Sequence, residues 1–161
     1  MTRAAWFSPT ILALVVAGGA LGVAARAALI LPIPQGAYTQ GAYTQGAYTQ
    51  GAHPLVVPAV TMAINIVGSL LLGVVVGRLG ERHAHLRAFF GTGVLGGFTT
   101  YSAFAVHAVT LGSANPLAGL LLMALSVFGG ALAAALGLQW GLRRGSGEVP
   151  PADTPAPEDA E

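Results

Sequence analysis

The sequence contains no cysteine and no lysine, and only 8% of its 161 residues are charged. Without cysteine there is no disulfide and no thiolate metal site. The shortage of charge excludes an ordinary soluble domain, in which roughly a quarter of residues are charged. Acids are missing from every long apolar run: the six are Glu81 and five residues from 148 onward. That excludes the membrane-embedded carboxylate usual in proton-coupled pumps. The ionisable groups inside the apolar runs are Arg26 and His107, and no acid there pairs with either. No enzyme is therefore expected, and no nucleic-acid partner.

What is present is apolar: 54% of residues are hydrophobic and the mean hydropathy is strongly positive. Four runs reach the ~20 residues that cross a ~30 Å hydrocarbon layer. They are Thr10–Leu31, Leu55–Gly77, Ala88–Leu111 and Asn115–Leu138. The expected fold class is an all-α membrane protein with four transmembrane helices per subunit and no separate soluble domain. The first run follows Arg3 and ends in small residues, as a secretory signal does, but it is long for one and three more spans follow. Threaded in order, the spans put Arg3, Arg78, Arg82, Arg87, Arg143 and Arg144 on one side and only Arg26 on the other. The positive-inside rule then places both termini and the 78–87 loop in the cytoplasm of a multi-pass plasma-membrane protein.

The four-span membrane domain covers residues 1–144, with a connecting loop at 32–54. Within that loop Gln35-Gly-Ala-Tyr-Thr39 recurs at Gln40–Thr44 and Gln45–Thr49. A five-residue period fits no solenoid, and glycine in each unit with proline at the flanks predicts a flexible external loop. Residues 145–161, rich in proline, alanine and acids, are expected to be a disordered tail. His83 and His85 lack further ligands nearby and read as solvated loop histidines.

Polar and small residues inside the spans carry the functional signal. Gly18 with Gly22, and Gly93 with Gly97, form small-xxx-small faces that let helices approach closely. Thr61 and Asn65 share a face of the second span, being four residues apart. An intramembrane asparagine either ties helices together or offers its amide hydrogens to an anion, and the residues alone leave both open. Leu125–Gly130 weakly repeats Ile64–Ser69, with Ser126 in the place of Asn65; internal similarity of this kind is common in transporters. In the third span Gly96 and Gly97 weaken the helix, and the hydroxyls of Thr99, Thr100 and Ser102 compete for backbone groups. A break there frees carbonyl oxygens of the kind that hold Na⁺ or K⁺. Tyr101 and Phe104, three apart, project to similar sides. Their ring edges, positive relative to the faces, would tolerate an anion, although plain packing is the simpler use for them.

Four stretches together resemble the bacterial fluoride-channel family, also called CrcB or Fluc. They are Gly18-Gly-Ala-Leu-Gly-Val-Ala-Ala-Arg26, Thr61-Met-Ala-Ile-Asn65-Ile-Val-Gly-Ser69, Gly93-Val-Leu-Gly-Gly-Phe-Thr-Thr-Tyr-Ser-Ala-Phe104 and, weakly, Leu125–Gly130. The third is similar to a signature that usually reads Gly-Gly-x-Thr-Thr-Phe-Ser-Thr-Phe. The resemblance implies an antiparallel dimer of four-helix subunits, each with a third helix broken at its Gly/Thr-rich segment. Two fluoride pathways would run along the interface, around a structural, untransported Na⁺. Carried over residue by residue, Gly96 and Thr99 would hold the sodium and Asn65 would donate to fluoride. Tyr101 and Phe104 would take the places of two pore phenylalanines, and Ser126, Thr61 and Ser102 would add hydroxyls to the pathway. Tyr101 for phenylalanine, Ala103 for threonine and His107 for the common acid depart from the family pattern.

The expected function is passive, fluoride-selective conduction that lowers cytoplasmic fluoride. The alternatives are a small four-span multidrug-type exporter, which normally needs an embedded acid, and a purely structural membrane subunit. Six arginines on one side argue against insertion both ways, so the antiparallel partner is expected to be either a second copy or an oppositely oriented paralogue.

Overall fold

A computed structural model describes residues 8–33 and 55–145. The repeat loop from residue 34 and the tail from residue 146 lie outside the described residues. Four spans are present: Pro9–Ile30, Val56–Leu79, Ala84–Ala114 and Pro116–Arg143. Among the described residues there is no strand. Helix α1 covers Pro9–Ile30 and α2 covers Val56–Leu79. The third span is composite: α3 (Ala84–Leu86), a π-helical segment (Arg87–Leu95), α4 (Gly96–Phe98) and α5 (Tyr101–Ala114). Helix α6 runs over Pro116–Gly145.

Local chemistry sets the ends. Pro9 opens α1, where its missing N–H costs nothing. Gly80 ends α2 at φ +53, a left-handed conformation that favours glycine, and its N–H donates to Val76 O at 3.2 Å. Asn115 is extended, as a residue before proline tends to be. Its Oδ1 accepts from Ala118 N at 3.1 Å and so caps α6. The helices of the third and fourth spans overrun the apolar stretches, the third starting at Ala84 and the fourth ending at Gly145. Hydropathy marks only the part in hydrocarbon, whereas Arg87 and Arg143 are exposed and can lie among head groups.

Packing is by backbone approach. A Cβ on Gly77 would lie 2.6 Å from Leu138 O, and one on Gly141 would lie 2.7 Å from Val74 O. A Cβ on Gly22 would lie 2.7 Å from Phe98 N, and one on Gly93 3.0 Å from Val15 O. Helix α2 thus pairs with α6, and α1 with the first half of the third span. In both pairs the register advances in the same sense along the two helices, so each pair is parallel, as helices two spans apart must be. Buried apolar side chains are few and mostly small: Ile64, Ala88, Leu95, Ala108 and Ala133. Large ones such as Val16, Leu21, Leu132 and Phe128 face outward, the arrangement suited to lipid, where glycine contacts replace a leucine core.

Substitutions at these glycines test that packing. Gly22→Ala is expected to destabilise the fold by about 1–3 kcal/mol, the usual cost of overpacking. Gly19→Ala, whose Cβ would meet nothing within 4 Å, should be neutral or mildly stabilising. Unfolding of the two variants in detergent checks the difference; equal stabilities would contradict the packing.

Candidate functional site

Between Phe98 and Tyr101 the third span leaves helical geometry. Thr99 (φ −78, ψ 159) and Thr100 (φ −148, ψ 115) are both extended. The turn before them closes twice on one acceptor: Thr99 N and Thr99 Oγ1 each donate to Leu95 O at 3.0 Å. The turn after them is capped by Thr100, whose Oγ1 accepts from Ala103 N at 3.3 Å and lies 3.2 Å from Ser102 Oγ.

Two side chains from other helices hold the extended residues. Asn65 on α2 reads the whole of Thr100's main chain: its Nδ2 donates to Thr100 O at 3.1 Å and its Oδ1 accepts from Thr100 N at 2.8 Å. Arg26 on α1 donates from Nη1 to Thr99 O at 3.0 Å. In an uninterrupted α-helix the Thr100 N–H would donate to Gly96 O. Here it is committed to Asn65, which releases the Gly96 carbonyl from that bond.

An open cleft of about 660 Å³ lies beside the break. Asn65, Gly96, Thr99, Tyr101, Phe104 and Ser126 all line it, so six of the eight site residues expected from sequence come together. Tyr101 is 80% exposed, and its ring centroid is 5.9 Å from that of Phe104 at an interplanar angle of 51°. Ser126 is buried. Thr61 and Ser102 are not among the lining residues. Thr61 is buried and its Oγ1 has no hydrogen-bond partner, while Ser102 supports the α5 cap. No group of three or more His, Cys, Asp or Glu side chains could hold a metal among the described residues, so a cation at the break would meet neutral oxygens.

Thr100, one of the hydroxyl residues that mark the break in the sequence, lines the cleft, and Arg26, absent from the site residues expected from sequence, holds the break through Thr99 O. For Arg26 the signal was available: an arginine inside an apolar span with no acid to pair with is a functional candidate by default. His107, one turn beyond Phe104, does not line the cleft.

The two glycines at the break do different work. A Cβ on Gly96 would meet nothing closer than Gly91 O at 4.0 Å, whereas one on Gly97 would lie 3.0 Å from Gly19 Cα and closer still to Gly19 O. Gly96→Ala should therefore fold like the parent, and Gly97→Ala should lose about 1–3 kcal/mol from overpacking. Thermal unfolding in detergent checks this; comparable losses in both would contradict the geometry.

The sequence profile of the family described as "CrcB-like protein, Camphor Resistance (CrcB)" matches residues 13–138. A protein of Thermobifida fusca named fluoride-specific ion channel FluC 2 is 39% identical over 127 residues, 76% of this chain and 82% of its own length. Proteins of the same name from Leifsonia xyli and Bacillus subtilis are 38% identical over 143 residues and 37% identical over 128 residues. They cover 82% and 78% of this chain, and 86% and 83% of their own lengths.

Proposed function

The chain belongs to the CrcB-like family, and we propose that it is a passive, fluoride-selective channel that relieves the cytoplasm of fluoride. The observation that carries the reading is the cleft that gathers Asn65, Tyr101, Phe104 and Ser126 beside the Thr99–Thr100 break. Fluoride is small and strongly hydrated, so a path through the membrane must replace its water with donors. An asparagine amide carries two hydrogens. One of Asn65's goes to Thr100 O, which leaves the other for the ion. The Ser126 hydroxyl is a second donor on the cleft wall, with Thr61 and Ser102 as weaker candidates along the route. The edges of Tyr101 and Phe104 are positive relative to their faces and offer the anion a compatible wall where hydroxyls are absent.

The break also fits a monovalent hard cation. Gly96 O is released from its helical donor, and Thr99 O keeps a second lone pair beside the one that Arg26 uses. In this reading Gly96 and Thr99 supply carbonyl oxygens to a structural, untransported sodium at the centre of an antiparallel dimer. Bound there, sodium supplies positive charge at mid-bilayer, where screening is poor.

The partner that completes the passage follows from the arginines. Arg78, Arg82, Arg87 and Arg143 are exposed at one end of the bundle, and that end is taken as cytoplasmic, with both termini, in the plasma membrane. Such a bias favours one orientation, so the antiparallel mate is an oppositely oriented paralogue in preference to a second copy. Reporters fused to the C-terminus test this: signal from one side is expected, and substantial signal from both would restore the homodimer.

Release of fluoride from vesicles tests the channel reading. In liposomes carrying the chain, with its paralogue where topology requires one, release should begin only when a potassium ionophore balances the charge. Release no faster than from protein-free vesicles would overturn the reading. Ionophore-independent release would instead point to a coupled exporter.

A further inference from the structure

Two positive groups have a claim on the Thr99 carbonyl. Arg26 Nη1 donates to it at 3.0 Å, and the sodium reading assigns it to the cation. Arg26 reaches it because Gly22, one turn earlier on the same face of α1, packs against the backbone of Val94 and Phe98. The guanidinium is permanently charged. The single described acid, Glu81, lies in the loop after α2, so nothing within the spans neutralises Arg26.

We infer that Arg26 is a positioning residue that competes with the cation for the Thr99 carbonyl and thereby sets how much sodium the site requires. This rests on the sodium reading above. A carbonyl oxygen has two lone pairs and can accept from both groups, but two positive charges on one oxygen repel strongly where dielectric screening is poor. Without the cation, Arg26 spares an extended peptide at mid-span from an unmade hydrogen bond. With the cation, it keeps the affinity low enough that one subunit's two carbonyls do not suffice and the partner's oxygens are needed. The same residue therefore protects the open subunit and couples sodium loading to assembly.

The test reads stability, not flux. The full-length protein in detergent is unfolded thermally while sodium replaces choline at constant ionic strength, since a ligand that binds the native state raises the midpoint. In Arg26→Gln, which keeps a neutral donor, the half-saturating sodium concentration should fall at least about tenfold, the effect of 1.4 kcal/mol. The starting midpoint in choline should be lower than the parent's. Arg26→Lys, which keeps the charge, should stay within about threefold of the parent, or less than 0.7 kcal/mol. An unchanged or higher sodium requirement in Arg26→Gln overturns the competition while leaving the sodium reading intact. A parent whose midpoint ignores sodium removes that reading, and this inference with it. Should Arg26→Gln fail to fold, the ¹⁵N signals of the Arg26 guanidinium in the parent decide the matter. Sodium should shift them, and signals that do not move while the midpoint rises would overturn the competition.

Discussion

Asn65→Ala is expected to lower the stability of the folded chain by about 2–5 kcal/mol and to cut fluoride release at least about a hundredfold. Asn65 satisfies both polar groups of the Thr100 peptide, at 3.1 and 2.8 Å, from a helix 35 residues away in sequence. Alanine leaves an extended N–H and C=O unpaired in mid-span. Each buried orphan costs about 1–3 kcal/mol in water-soluble proteins, and hydrocarbon offers no water to soften it. Asn65→Asp separates the structural use of this residue from the conductive one. It keeps an acceptor for Thr100 N–H, removes the donor to Thr100 O and to the anion, and gives the cleft a negative group when ionised. It should retain more stability than Asn65→Ala and conduct no better. Unfolding midpoints and liposome release, measured on the same preparations, check the pair. An Asn65→Ala protein with parental stability and flux would show that the clamp on Thr100 is dispensable.

The second large effect concerns the aromatic wall. Tyr101→Ile and Phe104→Ile should each reduce fluoride release about a hundredfold, equivalent to roughly 2.7 kcal/mol of barrier. Tyr101→Phe should stay within about threefold, since the ring edge survives and only the hydroxyl is lost. Tyr101 is the more telling position. It is 80% exposed in the single chain, so its replacement removes little packing within the subunit, and a loss of flux there reports on the pathway or on the proposed subunit contact. Unfolding and dimer assembly measured alongside separate those two. Phe104 is half-buried, and its variant needs the same control. Parental release by Tyr101→Ile in an intact assembly would mean that ring edges do not line the route.

Much of the architecture was legible because the membrane imposes it locally. Four apolar runs became four spans, and the glycine pairs Gly18/Gly22 and Gly93/Gly97 lie where helix backbones approach. Gly96 and Thr99–Thr100 are weak helix by residue type, and the extended φ and ψ values fall at the two threonines. Other features depend on partners distant in sequence. Arg26 and Thr99 are 73 residues apart, and only the close packing at Gly22 brings them together. The same holds for Asn65: its chemistry left helix tie and anion donor open, and its two hydrogen bonds to Thr100 show that the tie is made while one amide hydrogen remains. Thr61 shares a face with Asn65 but is buried and does not line the cleft, which helical spacing alone does not reveal. The π-helical turns of Arg87–Leu95 leave no periodic signature, because π turns inside helices follow from local strain and neighbours more than from composition.

Selective passive passage of fluoride is open to direct test in a planar-bilayer recording. With fluoride in a gradient and chloride equal on both sides, the current should reverse at the fluoride equilibrium potential. Reversal near zero, or no current above that of a protein-free bilayer with the assembled protein present, would contradict it.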